Sequence, residues 1–216
     1  MTSSFWNVTT ELLSASVYTL GLFALTIIFA VPLGFVVYLL ATCKFKPVSA
    51  VMKVIIWIIR GTPLMLQILL FVFAPGLIFG IAVSNRFIWV AVAFIINYSA
   101  YFAEIYRGGF ESIPRGQYEA CKILGMTKSQ TFFKVILPQV IKRVIPPMGN
   151  EVITLVKDTS LANIVGITEI ILTAKGITNM TGAIWPIFYT GVFYLIFSGV
   201  LTLVLRWVEK KLDYYR

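Results

Sequence analysis

The chain of 216 residues has no histidine, two cysteines and only 12% charged residues. With no histidine and no cysteine cluster, no ligand set for a zinc or haem site is expected. Cys43 and Cys121 both fall in segments expected on the cytoplasmic side, so no disulfide is expected either. No stretch has the form G-x-x-x-x-G-K-[ST], which excludes ATP binding by a P-loop and leaves any energy to a partner or a gradient. The amino terminus has no basic region ahead of its first apolar run, and that run is too long for a leader core. It is therefore read as a span, not as a cleavable signal. What is present is apolar surface, at 59% hydrophobic residues, which makes lipid the solvent for most of the chain. The net charge of +9 is not gathered on a soluble face but divided among short loops, so no nucleic-acid partner is expected.

No charge occurs from Leu12 to Cys43, far more than the ~20 residues a helix needs to cross the hydrocarbon. A first span is expected at Ser16 to Leu40, with Pro32 and Gly34 inside it. A basic loop with Lys44, Lys46 and Lys53 and a half-apolar segment, Val54 to Ile59, follow. The second charge-free run, Gly61 to Asn85, holds a span at Thr62 to Phe79. A third span is expected at Phe87 to Tyr106, and a fourth at Val140 to Val165, interrupted by Pro146-Pro147. A short helix and turn outside the membrane (Gly166 to Thr181) then precede a fifth span at Ile184 to Leu205. With the amino terminus outside, the inner loops carry Lys44, Lys46, Lys53, Arg107, Arg115, Lys122, Lys128, Lys134, Lys142, Arg143, Arg206, Lys210, Lys211 and Arg216, and the outer ones only Arg86 and Lys175. That asymmetry predicts an all-α membrane protein of five transmembrane helices with its amino terminus outside.

The longest polar stretch, residues 111–138, lies between spans three and four and so on the cytoplasmic side. Gly125 is placed to end one helix in the left-handed conformation, and Thr127 with Gln130 has the spacing of a capping box for the next, which Pro138 should close. Within it, Arg115, Gly116, Gln117, Tyr118, Glu119, Ala120 and Cys121, with Gly125 six positions after the glutamate and Val135-Ile136-Leu137-Pro138 beyond, resemble the "EAA" loop of ABC importer membrane subunits. Cys121 stands where that family has a second alanine and Val135 where it has isoleucine. Arg60-Gly61-Thr62-Pro63 is similar to a signature of the polar amino acid permeases within that superfamily, as are the Tyr101 to Ala120 layout and Gly149-Asn150-Glu151 through Lys157-Asp158-Thr159-Ser160-Leu161. The similarity covers Arg60 to Leu161. It implies the type I ABC importer fold in a single permease domain, 1–216. It also implies a coupling helix that docks on a separate cytoplasmic ATPase, which would hold the ATP and magnesium; this chain itself would carry no cofactor. Implied partners are a second permease subunit, identical or related, and an extracytoplasmic binding protein that delivers the amino acid. The implied place is the cytoplasmic membrane of a prokaryote.

Glu151 and Asp158 are seven apart, ~700° around a helix at ~100° per residue, with Thr154 within ~60° of their direction. An aspartate at the centre of a span costs about 2.5–3.5 kcal/mol, so such groups are paired or line a watery cavity. Two readings stay open: they line a substrate passage and attract a positive amino group, or they pair with Lys157 or Arg60 and hold the bundle. The first takes Asn97, Gln67 and Thr154 as hydrogen-bonding partners of the substrate, with Tyr98 and Ser99 beside them. Asn97 and Ser99 are in any case too polar to face lipid. Arg60, Gly61, Thr62, Pro63 and Lys157 are assigned to gating or structure; Pro63 and Arg60 also suit a helix start and an interfacial anchor. The reading adopted is a permease subunit of an ATP-driven importer of polar amino acids, leaning towards basic ones, and not an enzyme. The alternative is a proton-coupled secondary transporter using the two acids, which needs no docking element and usually shows internal repeats, absent from this sequence. A membrane enzyme would need a nucleophile or base constellation that this sequence lacks.

Overall fold

The computed structural model describes residues 5–80 and 85–212, and every regular element among them is helical. Arg216 and the 81–84 end of the second charge-free run lie outside the described residues. In order the elements are α1 (Phe5–Ala41), α2 (Lys46–Gly61), α3 (Leu64–Phe79), α4 (Arg86–Glu111), α5 (Arg115–Ile123), α6 (Lys128–Gln130), a π-helical stretch (Thr131–Ile136), α7 (Leu137–Asp158), a 3-10 stretch (Thr159–Val165), α8 (Ile170–Thr181) and α9 (Trp185–Leu212). α1, α4 and α9 are each long and apolar enough to cross a membrane, and two bent helix pairs, Lys46–Gly61 with Leu64–Phe79 and Lys128–Val165 with Ile170–Thr181, pass the same test when each pair is taken together.

α4 is the central post. Its Val90, Ala93, Phe94, Tyr98 and Phe102 are buried against Leu22 and Ala30 of α1, Ile68 and Val72 of α3, and Leu155 of α7. Small residues let α1 and α4 approach closely, the packing that membrane helices use where lipid gives no hydrophobic drive between them. A Cβ on Gly34 would stand 2.7 Å from the Phe102 Cβ and 3.0 Å from the Ser99 carbonyl oxygen. A second cluster packs Val8, Leu12 and Ala15 of α1 against Ile170 and Ala174 of α8 and Phe193 of α9. The outer faces carry exposed Val17, Ile28, Leu77, Phe188, Leu195 and Leu203, the surface a lipid-solvated bundle needs.

Several sequence expectations are corrected. The helix that contains the first expected span starts eleven residues before it and is continuous from Phe5 through Pro32 to Ala41. The half-apolar segment is part of a full amphipathic helix, α2, which turns by 106° into α3. Thr62 and Pro63 are both extended at that break, because proline disfavours the helical conformation of the residue before it. Pro138 does not close a helix: the helical run is unbroken from Lys128 to Val165. The proline ring would clash with the Lys134 carbonyl and its missing N–H leaves a ladder gap. The stretch just before it widens to π geometry, with the Leu137 N–H donating to the Phe132 carbonyl. Pro146-Pro147 likewise lie inside α7 without interrupting it. Gly125 and the Thr127/Gln130 box behave as expected: Gly125 has φ 69°, and both capping bonds form.

Gly34→Val should lower the Tm of the purified protein in detergent, by an overpacking cost of about 1–3 kcal/mol, whereas the same change at Gly191, which has nothing within 4 Å, should leave it unchanged.

Candidate substrate cleft and docking surface

A cavity of about 460 Å³ is lined by three sets of residues. α7 supplies Glu151, Thr154 and Asp158, on one face as their spacing requires. α4 supplies Asn97, Tyr98 and Tyr101, and the α2–α3 break supplies Arg60 to Leu64. A volume of this size holds a small polar metabolite. The Tyr98 hydroxyl donates to Asp158 Oδ2 at 2.7 Å, with the ring 2% exposed, so that aspartate is oriented from α4. Thr154 donates to the Asn150 carbonyl of its own helix. Among the described residues every ion pair within 4.0 Å goes to Glu104 or Glu111, so neither Glu151 nor Asp158 forms an ion pair with Lys157 or Arg60. Lys157 is exposed.

Gln67 stands behind the cleft and not in it. Its Nε2 donates to the carbonyls of Ile59 (2.8 Å) and Thr62 (3.2 Å) and to Thr62 Oγ1 (2.9 Å), while its Oε1 accepts from Asn97 Nδ2 at 3.0 Å. It therefore satisfies backbone groups freed by the break and ties α3 to α4. Ser99 is also outside the cleft, buried between α4 and α1 and bonded to the carbonyls of Ile95 and Ala30. Arg60 stacks over the Tyr101 ring at 5.4 Å and pairs with Glu104 at 3.6 Å. Tyr101 and Leu64 are the lining residues that sequence reasoning did not assign, and for Tyr101 the chemistry is polar. The signal was there: Asn97, Tyr101 and Glu104 follow one another at i, i+4 and i+7, a single helical face.

Away from the cleft, α5 stands out from the bundle with only Cys121 buried. Tyr118, Ile123 and Leu124 are 44%, 86% and 76% exposed, and Arg115, Gly116, Gln117, Glu119 and Ala120 are exposed with them. The base of this projection is anchored by Ile113, buried with Ile136, Val140 and Val144, by Gln139 reaching Gln117, and by Arg143 donating to the Ser112 carbonyl. The result is a short helix with exposed apolar tips on a charged frame, a surface of the kind that a partner covers.

Residues 30–214 match the family model of the binding-protein-dependent transport system inner membrane component. The chain belongs to that family. It is 36% identical to the L-cystine transport system permease protein TcyB of Bacillus subtilis over 98% of its own length and 89% of that protein's. It is 38% identical to the glutamine transport system permease protein GlnP of Escherichia coli over 74% and 73% of the two chains. The crystal structure of an amino acid ABC transporter with histidines superposes with a TM-score of 0.88 at 31% identity, covering 98% of this chain and all of that one. The chain is thus an ABC-importer permease subunit of the polar amino acid type, with a type I importer fold. It is not itself catalytic; ATP hydrolysis resides on another subunit.

Replacing Gln67 of the permease by leucine keeps the side chain's bulk but strands the Thr62 carbonyl and the Asn97 amide and leaves the Ile59 carbonyl only the 3.4 Å bond from Thr62 Oγ1. Each buried group left unpaired costs about 1–3 kcal/mol. Gln67→Leu should lower both the Tm and the affinity for substrate, and Gln67→Glu, whose carboxylate accepts from Asn97 but cannot donate to the two carbonyls, should lower them too. Equal Tm for Gln67→Leu and the parent would show that the break is held otherwise.

Proposed function

We propose that the permease carries polar amino acids with a lean towards basic ones, and that Glu151, Asp158, Thr154, Asn97 and Tyr98 form its cargo site. The observation that carries this is the pair of carboxylates on one face of α7, neither in an ion pair among the described residues, opening with Asn97, Tyr98 and Tyr101 into one cleft. Away from bulk water two such charges attract a cation more strongly than they would in solution. An α-amino group uses one of them, and a side-chain cation uses the other. Gln67 and Ser99 act at one remove, the first by holding Asn97 and the break, the second by seating α4 on α1. Relatives named for cystine, glutamine and histidines differ in cargo charge, so the lean rests on the two acids.

The supporting frame is a five-span subunit in a prokaryotic cytoplasmic membrane, amino terminus outside, as the Lys/Arg asymmetry favours. This puts α5 in the cytoplasm. There Arg115 to Cys121 enter the groove of an ATPase, with Gly125 closing the helix, while a second permease subunit and an extracytoplasmic binding protein complete the importer. Closure of the ATPases draws the two coupling helices together and turns the cleft from outward to inward. Family membership assigns the energy to ATP hydrolysis and not to the proton gradient of the alternative reading.

In an uptake competition series, Glu151→Gln and Asp158→Asn should each reduce import of arginine, lysine and histidine by about tenfold or more, the worth of one hydrogen bond to a charged group, and import of neutral amino acids least. Equal loss for every amino acid would assign the two acids to structure or gating. For the docking surface, Glu119→Lys reverses a charge and Gly125→Val forces a β-branched residue into a left-handed cap. Both variants should insert normally yet fail to retain the ATPase on purification, and substrate-stimulated hydrolysis persisting with both changes would remove α5 from the coupling role.

A further inference from the structure

A second cavity, of about 420 Å³, lies against the first and is used by none of the roles above. It sits between the ends of α1, α2 and α4, and Tyr38, Lys53, Arg60, Glu104, Arg107 and Glu111 give it a mixed charge. Arg60 lines both cavities, so its guanidinium is part of the wall that separates them. That wall is held by few contacts: the 3.6 Å pairing with Glu104 and the stacking on Tyr101. Glu104 is held in turn by Arg107 at 3.0 Å, and Arg107 reaches on to Glu111, one residue before the turn that leads to α5. Arg60 also stands at the end of α2, against the extended Thr62-Pro63 link where the chain turns by 106°. A small change in that angle would swing the guanidinium off Glu104 and join the two cavities.

We propose that this second cavity is an exit station for the cargo amino acid, and that the Arg60–Glu104 pair is the door between it and the cleft. The lining suits a zwitterion. Lys53, which has no ion-pair partner among the described residues, faces a carboxylate, while Glu104, still held by Arg107, has the Arg60 side of its Oε1 freed to accept an ammonium group once Arg60 has withdrawn. The direction of travel follows from the positions of Lys44, Lys46 and α5, which put the second cavity on the cytoplasmic side of the first. The proposal rests on the amino acid importer reading, and the two fail separately in the following experiment.

The permease is assembled with its ATPase and binding protein, with Cys43→Ser and Cys121→Ser to remove native thiols, and Thr42→Cys to place one thiol in the wall of the second cavity. Amino acid uptake into proteoliposomes is measured first, and its absence for every polar amino acid overturns the importer reading. In a complex that does import, labelling of the Thr42→Cys thiol by a cationic methanethiosulfonate is followed in nanodiscs. The exit station requires that cargo slow labelling during ATP turnover but not without ATP. With Arg60→Gln, or with Arg60→Met if that variant assembles better, the same protection should appear without ATP, because the door has lost its latch. Labelling indifferent to cargo during active import overturns the proposal. So does labelling slowed without cargo in step with the nanodisc's phospholipid, which would assign the cavity to a lipid headgroup.

Discussion

The architecture of the cleft depends on one constraint: backbone groups freed inside a lipid-solvated bundle have to find partners within the protein. The break between α2 and α3 frees several at once, beside the cavity. A single amide, Gln67, takes up the Ile59 and Thr62 carbonyls and extends the network to Asn97 on α4. The polar wall of the cleft and the integrity of the bend are therefore one hydrogen-bonded unit. This explains why an amide sits at 9% exposure in a helix that is otherwise almost wholly apolar. It also fixes Arg60 at the mouth of the break, where a cation without the bend would have had no reason to lie between two cavities.

The chain's organisation was legible in its residues wherever a local rule decides the outcome. The charge-free runs became helices, Gly125 took positive φ, and Thr127 with Gln130 closed a capping box, because each of these depends on a few neighbours. The stripe of Glu151, Thr154 and Asp158 was also visible, since helical spacing alone sets it. What could not be read were outcomes that depend on tertiary partners. Pro138 and the Pro146-Pro147 pair look like helix breakers by themselves, yet the run from Lys128 to Val165 passes through all three, with a wide turn ahead of the first. Gln67 and Ser99 were polar enough to suggest contact with cargo, and only the neighbouring helices reveal that each is already committed to backbone carbonyls. Tyr101 was overlooked because an aromatic residue in a span reads as core until the facing break is known.

The charged groups divide in the same way. Glu104, Arg107 and Glu111 form a ladder on one face of α4, with Arg60 joining from α2. Glu151 and Asp158, one helix away, have no cation within pairing distance among the described residues. A chain with a large positive excess thus keeps two negative charges in reserve at its cleft, which is a choice of placement and not of composition.

The unbroken helical run from Lys128 to Val165 has a mechanical meaning. From its first residue to Asp158 it measures ~45 Å at 1.5 Å per residue. A rod of that length, tilted by ~5° about its cleft end, displaces its other end by ~4 Å, so motion at the α5 end is geared down as it approaches the cleft.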